Sequence, residues 1–239
     1  MLAWPPFVLL TFLAFAVSSN LAPWHRMCAM VFAIYFGCKW LTWYSFRNKE
    51  GANVSGHDIA YFLAWPGMDT QAFLNRKSSL RRPTAFEWYA AFLKTASGIF
   101  LLYTLPRWVP FEALLLKGWV GVAGLLLIFH FGIFHLLALL WQKAGVCAQP
   151  IMQKPIFATS LGDFWGNRWN LGFRQLTHDF IFRPLRGAIG LGAASISSFL
   201  VSGFIHELVI SIPAKGGYGL PTFYFLLQGL GITVERSHL

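Results

Sequence analysis

Six apolar stretches recur along this 239-residue chain, and four of them are long enough to cross the hydrocarbon core of a bilayer as helices. They cover residues 2–17, 27–46, 88–105, 113–141, 188–212 and 221–234. Only 12% of the residues are charged, against about 25% in a soluble domain. The sequence therefore predicts an all-α fold: a polytopic transmembrane helical bundle of about six spans plus interfacial or re-entrant helices, forming one integral-membrane domain over residues 1–239.

The basic residues between these stretches are distributed unevenly. Thirteen fall in the second and fourth loops and the tail: Arg47, Lys49, Arg76, Lys77, Arg81, Arg82, Lys143, Lys154, Arg168, Arg174, Arg183, Arg186 and Arg236. On the opposite side there are three: Arg26, Arg107 and Lys215. This asymmetry predicts that both long loops are cytoplasmic. It also accounts for the net charge of +10 without nucleic acid as a partner.

The fifth apolar stretch carries polar residues at three- and four-residue spacing: Ser195, Ser198, Ser202 and His206. At that spacing they share one face of a helix, and such a face should point into the protein or toward a wet cavity rather than toward lipid. Gly203 removes bulk close to the imidazole, which we interpret as room for a ligand. Glu207 points elsewhere and needs its own partner, such as an arginine or lysine. The simpler alternative is that His206 only bonds a neighbouring helix.

A second polar cluster precedes that stretch in the segment DFWGNRWN, residues 163–170. If the segment is helical, Trp165 and Trp169 stack one turn apart, with Asp163, Arg168 and Asn170 beside them. One interpretation is a platform for a polar, negatively charged ligand at the cytoplasmic mouth of a cavity. The other is a pair of interfacial tryptophans among loop polar residues.

Two further segments are apolar without spanning. Phe173, Leu176, Phe180 and Ile181 follow helical spacing, with charged and amide residues between them. This pattern predicts an amphipathic helix at the cytoplasmic interface, or else an ordinary cytosolic helix. The segment YFLAWPGMD, residues 61–69, is apolar but too short to span.

Metal and hydrolase motifs are missing from the sequence. His130 and His135 stand five residues apart, whereas a helical metal pair is four apart. No GxSxG, HExxH or glycine-rich phosphate loop occurs. We therefore expect no metal and no prosthetic group.

The segments SLGDFWGNRWN, FIFRPLRG and SFLVSGFIHEL together resemble the membrane-bound O-acyltransferase superfamily, and in particular its wax-synthase-like branch. AWPGMD in the second loop is similar to that branch too. The motif-bearing part covers about residues 150–213. The resemblance implies transfer of a fatty acyl group from acyl-CoA, a co-substrate, to the hydroxyl of a hydrophobic alcohol within the lipid bilayer.

The resemblance also implies site residues. His206 matches the family histidine and Asn170 the family asparagine, so both are expected to be catalytic. We expect His206 to act as general base on the alcohol. Asn170 would position the thioester or His206, or donate to the oxyanion. The substrate-binding candidates are Asp163, Trp165, Arg168, Trp169, Arg174, Arg186 and Ser202, with the arginines placed for CoA phosphates.

Two features depart from the family pattern. Asn167 stands where this branch should carry a basic residue, which affects recognition of CoA or the acyl group. Family members also continue for one or more further helices, so we expect a compact or a truncated member.

Two functions of other classes remain open. One is a carrier or channel whose polar path follows the serine face of the fifth stretch. The other is a catalytically inactive, lipid-binding family member.

Overall fold

A computed structural model describes residues 3–51, 54–75 and 82–237. Within these ranges the chain forms helices, turns and loops without a β-strand, which confirms the all-α prediction. The α-helices in chain order are α1 Trp4–Val17, α2 Pro23–Glu50, α3 Gly56–Ala64, α4 Thr70–Leu74, α5 Ala85–Tyr103, α6 Leu114–Leu126, α7 Phe134–Lys143, α8 Leu161–Asp163, α9 Leu171–Thr177, α10 Arg183–His206, α11 Ile212–Ala214 and α12 Leu220–Ser237. Arg76, Lys77 and Arg81 lie outside the described residues.

Wider π-helical turns join several of these helices into longer ones. They are Leu127–Ile133, Phe164–Arg168, His178–Phe182 and Glu207–Ser211. Two continuous helical stretches in the described part of the chain are long and apolar enough to cross a membrane, Leu114–Lys143 and Leu171–Ala214. Trp4–Val17 is apolar but shorter. All six predicted stretches fall on helix, while the six-span arrangement stays a prediction.

Local chemistry explains where the helices begin and end. The Thr84 and Glu87 side chains cap the start of α5 reciprocally, because Glu87 accepts from the Thr84 backbone N–H and hydroxyl at 2.8 and 3.0 Å. The helix α2 begins with Pro23 and ends at Gly51, whose left-handed φ of 61° closes the last turn.

The chain divides into two compact units. The first contains Met1–Asn53, Phe157–Asn167 and Gly172–Leu239, and the second Val54–Ile156 and Arg168–Leu171.

In the first unit, small residues let helices pack closely. A Cβ atom on Gly37 of α2 would lie 3.0 Å from the Phe7 Cα atom of α1. Lys39 of α2 is completely buried, and its Nζ atom lies 5.7 Å from the centroid of the Tyr35 ring. Close backbone approach at glycine is typical of helix packing in membranes.

In the second unit, the short apolar segment 61–69 is part of the core. Tyr61 is fully buried, and its hydroxyl accepts from the Thr70 hydroxyl at 3.0 Å. Trp65 stacks on Phe73 at 5.9 Å between ring centroids. The Trp141 indole N–H of α7 donates to the Ala64 carbonyl at 2.9 Å. The apolar residues of this segment therefore cover the inner surface of α3, α4 and α7.

The amphipathic segment and the fifth apolar stretch form one helical run. Leu171–Ala214 is continuous except at Gly190, where φ 81° and ψ 170° are not helical. A φ in this region suits glycine because it has no Cβ atom. The break lies two residues after the predicted start of the fifth stretch, Ala188, so the change from amphipathic to apolar sequence coincides with a kink.

Candidate functional site

His206 is the last residue of α10, where the helix widens into the π turn Glu207–Ser211. Its Nδ1 atom lies 2.7 Å from the Ser202 carbonyl oxygen, one turn earlier. A carbonyl can only accept, so Nδ1 carries the hydrogen and Nε2 keeps its lone pair. The helix backbone thus holds the imidazole in the tautomer that leaves Nε2 able to take a proton.

The face of the imidazole is covered by an aromatic group from α12. The Phe225 ring lies 4.5 Å from the His206 ring between centroids, at an angle of 45°. Trp165 contacts Phe225 at 5.7 Å and Phe199 of α10 at 5.5 Å. The Trp165 indole N–H donates to the Gln228 side-chain oxygen at 3.1 Å. The first unit therefore joins two predicted site residues, Trp165 and His206, through Phe225.

Glu207 has a partner of a different kind from the one predicted. Instead of an arginine or lysine, its Oε1 atom accepts from the backbone N–H and the hydroxyl of Thr222 at 3.1 and 3.0 Å. The expectation of a basic partner is wrong because three to four residues of sequence spacing show only the helix's own neighbours. Thr222 follows 15 residues later, on α12.

The room predicted beside Gly203 is occupied by α12. A Cβ atom on Gly203 would lie 2.7 Å from the Thr222 Cα atom. The serine hydroxyls turn to their own helix: Ser198 donates to the Ala194 carbonyl at 2.9 Å, and Ser202 to the Ser198 carbonyl at 3.0 Å. The small residues therefore serve the α10–α12 contact, and Ser202 supports His206 through its carbonyl.

Asp163 and Asn167 stabilise the start of the tryptophan-rich segment. Asp163 accepts from the Thr159 N–H and from the Asn167 side-chain amide, both at 3.2 Å. Ser160 caps the same turn by accepting from the Asp163 N–H at 2.9 Å. From α12, the Glu235 carboxylate accepts from the Gly162 N–H at 2.8 Å. These bonds fix the residues that precede Trp165.

Asn170 belongs to the second unit and lies in a tight turn. Its φ of 43° is left-handed, a region in which asparagine is one of the few tolerated residues. Its backbone N–H points to the Met152 sulfur at 3.3 Å. On either side, the Gln153 N–H donates to the Arg168 carbonyl at 2.8 Å and the Leu171 N–H to the Ile151 carbonyl at 2.9 Å.

The two tryptophans of the segment do not form the predicted helical stack. The π turn ends at Arg168, so Trp169 lies outside the helix, and its ring contacts Phe131 at 6.4 Å in the second unit. Trp165 faces Phe199 and Phe225 in the first unit. The prediction assumed 100° per residue, which the wider turn and the left-handed Asn170 interrupt.

The arginine candidates differ in their surroundings. The Arg168 guanidinium donates to the Lys154 carbonyl at 3.3 Å in the second unit. Arg174 donates to Gln175 at 3.3 Å, and both Arg174 and Arg186 are exposed on the helical run of the first unit. Asn170 and His206 lie in different units, so their pairing stays a prediction.

Sequence reasoning missed the contribution of α12, which it treated as apolar only. Thr222, Phe225 and Gln228 all contact predicted site residues or their neighbours. A lone glutamine inside an apolar stretch was the available signal. Over residues 3–51, 54–75 and 82–237 no three histidine, cysteine or acidic residues are grouped to hold a metal ion.

Comparison with known proteins gives a match over the same region. Residues 148–227 match the family described as "Membrane bound O-acyl transferase family". The "Probable long-chain-alcohol O-fatty-acyltransferase 8" of Arabidopsis thaliana is 34% identical over 109 residues, 42% of this chain and 32% of the relative. The "Acyl-CoA--sterol O-acyltransferase 1" of the same plant is 34% identical over 95 residues, 36% of this chain and 28% of the relative.

A longer alignment links the chain to the "Long-chain-alcohol O-fatty-acyltransferase" of Simmondsia chinensis, at 26% identity over 175 residues. It covers 65% of this chain and 47% of the relative. The chain thus spans less than half the length of the curated relatives it matches.

Proposed function

Residues 148–227 make this chain a member of the membrane bound O-acyl transferase family, and we propose that it transfers a fatty acyl group from acyl-CoA to the hydroxyl of a hydrophobic alcohol. The observation that carries the proposal is the coincidence of that family match with an imidazole whose Nδ1 is held by a backbone carbonyl. Two of the relatives are named for long-chain alcohols and one for sterols, which favours an alcohol with a large apolar body.

The proposed reaction needs one base and one leaving thiol. His206 Nε2 takes the proton of the alcohol while the alcohol oxygen attacks the thioester carbonyl carbon. The carbon–sulfur bond then breaks, and the imidazolium returns the proton to the CoA thiolate, giving an ester and free CoA. Asn170 donates to the oxygen that becomes negative at the carbonyl, a contribution worth about 100- to 1000-fold in rate.

The neighbours of these two residues divide the remaining work. Trp165, with Phe225, walls the base and excludes water that would hydrolyse the thioester. Trp169 supports Asn170. The cationic residues Arg168, Arg174 and Arg186 bind CoA phosphates from the cytoplasmic side. Asp163 acts through the turn that it caps.

The membrane arrangement belongs to the same proposal. We infer six spans with the basic loops in the cytoplasm, in accordance with the charge asymmetry. Acyl-CoA is charged and water-soluble at its CoA end, so a site reached from the cytoplasm suits this donor. The alcohol enters from the lipid.

The test is ester formation by the purified chain from labelled acyl-CoA with a panel of long-chain alcohols and sterols. His206→Ala should lower the rate by about 100- to 10,000-fold, the range for loss of a general base. The control is His178→Ala, which removes an exposed histidine bonded to Asp179 and should leave the rate unchanged. Equal transfer by the wild type and His206→Ala contradicts the assignment.

The alternatives have their own readouts in the same preparation. A carrier or channel gives substrate-dependent flux in liposomes and consumes no acyl-CoA. An inactive, lipid-binding member is thermally stabilised by acyl-CoA without turnover.

A further inference from the structure

The carboxylate of Glu207 leaves its own helix and closes the start of the next one. Its Oε1 atom accepts two hydrogen bonds from Thr222, from the backbone N–H at 3.1 Å and from the hydroxyl at 3.0 Å. Glu207 is the first residue of the π turn that follows His206. The general base and this carboxylate are therefore consecutive in the chain but serve different neighbours.

The first turn of α12 depends on this acceptor. The Leu220 N–H donates to the Gly217 carbonyl at 3.1 Å, and the Phe223 N–H to the Gly219 carbonyl at 2.8 Å. Pro221 has no N–H. Early N–H groups of a helix find no partner within the helix, and the Thr222 N–H finds its partner in Glu207, on another element. A negative charge at a helix N-terminus is also electrostatically favourable.

This bond fixes where α12 lies against α10. Gly203 and Thr222 are the point of closest approach, since a Cβ atom on Gly203 would come within 2.7 Å of the Thr222 Cα atom. Phe225 follows Thr222 by three residues and so projects from nearly the same side of α12. Its ring lies 4.5 Å from that of His206. The position of Phe225 on the imidazole is thus set by the Thr222–Glu207 bond one turn away.

We infer that Glu207 is a positioning residue for His206. It acts by holding α12 so that Phe225 covers the imidazole, while the Ser202 carbonyl holds Nδ1. The catalytic meaning of this inference rests on the proposed function. Its structural content, an imidazole whose freedom is limited by the Glu207–Thr222 bond, does not.

The main test compares two changes at Glu207 in the full chain. Glu207→Ala removes the acceptor and should lower kcat by about 100-fold, the loss that a displacement near 1 Å produces. The KM for acyl-CoA should stay within about twofold of the wild type, because uniform substrate binding is not touched. Glu207→Gln keeps an oxygen that accepts both bonds and should restore most of the rate. If Glu207→Gln falls as far as Glu207→Ala, the charge itself is required and the inference is wrong.

The partner residue gives a second, milder pair of variants. Thr222→Val removes the hydroxyl while keeping the N–H, and should lower kcat with the same KM pattern as Glu207→Ala. Thr222→Ser keeps both donors and should behave like the wild type. Because these changes remove at most one bond, they test the inference even if Glu207→Ala does not fold. Wild-type kcat in Thr222→Val and Glu207→Ala together would overturn it.

A matched control and an activity-independent measurement complete the design. Glu87→Ala removes an equivalent Glu–Thr bond pair at the start of α5, in the second unit, and should leave kcat unchanged. Carbethoxylation of His206 by diethyl pyrocarbonate, followed by peptide mass spectrometry, should be faster in Glu207→Ala than in the wild type and in Glu87→Ala. If the wild type forms no ester, the proposed function fails while this measurement still decides. An unchanged carbethoxylation rate contradicts the positioning role.

Discussion

At the scale of single residues, Asn170 combines two roles that a substitution can separate. Its side chain is the proposed oxyanion donor, and its backbone has a left-handed φ of 43°. Alanine loses the amide and keeps a Cβ atom in an unfavourable conformation, whereas glycine loses the amide and relieves the backbone.

We therefore predict that Asn170→Ala and Asn170→Gly both lower the transfer rate by about 100- to 1000-fold. Only Asn170→Ala should lower the free energy of unfolding, by about 1 kcal/mol. Initial rates and thermal unfolding in detergent measure the two effects. Full activity in Asn170→Gly would remove the amide from the mechanism.

A second residue-scale prediction concerns the indole N–H of Trp165. Trp165→Phe keeps an aromatic ring but leaves the Gln228 oxygen without its donor, which should cost about 1 kcal/mol. Gln228→Leu should cost a similar amount, and the double variant less than the sum, by about 0.5 kcal/mol or more. Unfolding free energies of the four proteins form the cycle. Strict additivity would mean that the bond contributes nothing.

At the scale of elements, the crossing of α10 and α12 organises the base. At Gly203 the two helices meet with no space for a side chain. Gly187, on the same helix, has no atom within 4 Å of an added Cβ atom. The two glycines therefore offer the same substitution in a closed and an open setting.

Gly203→Ala should destabilise the protein by about 1–3 kcal/mol, the usual cost of overpacking, and should lower the transfer rate because α12 shifts. Gly187→Ala should be neutral or slightly stabilising, since alanine is the better helix former. Thermal unfolding and initial rates compare them. A neutral Gly203→Ala would show that α12 moves freely relative to α10.

Sequence patterns predicted part of this architecture and missed the rest for identifiable reasons. The apolar stretches predicted the helices, and the spacing from Ser195 to His206 predicted the helix that ends at the imidazole. The partner of Glu207 and the neighbour of Gly203 could not be predicted, because both lie on a helix that a turn returns to α10. The separation of Trp165 from Trp169 follows from a π turn and a left-handed residue, neither of which helical periodicity can anticipate.

At the scale of the whole molecule, the distribution of charge is the feature with most consequence. The second loop and the fourth loop are basic, and the opposite side carries few cations. If the six helices cross the membrane as proposed, Lys49 and Arg107 end on opposite sides.

Labelling of single cysteines tests this arrangement. In a background without Cys28 and Cys147, Cys38 is only 1% exposed and should not react. Arg107→Cys should react with an impermeant maleimide added to intact cells, and Lys49→Cys only after permeabilisation. Labelling of both positions from the same side would contradict the six-span topology.

The π turn after His206 makes the register of everything downstream sensitive to chain length. A turn that closes on the fifth residue holds one more residue than the ordinary helical turn that closes on the fourth. Deleting one residue between Glu207 and Ser211 would let the helix continue at normal pitch and rotate Pro213 and all that follows by about 100°. Thr222 would then miss the carboxylate, although no contacting side chain had been altered. Single-residue deletions there should be far more damaging than substitutions at the same positions.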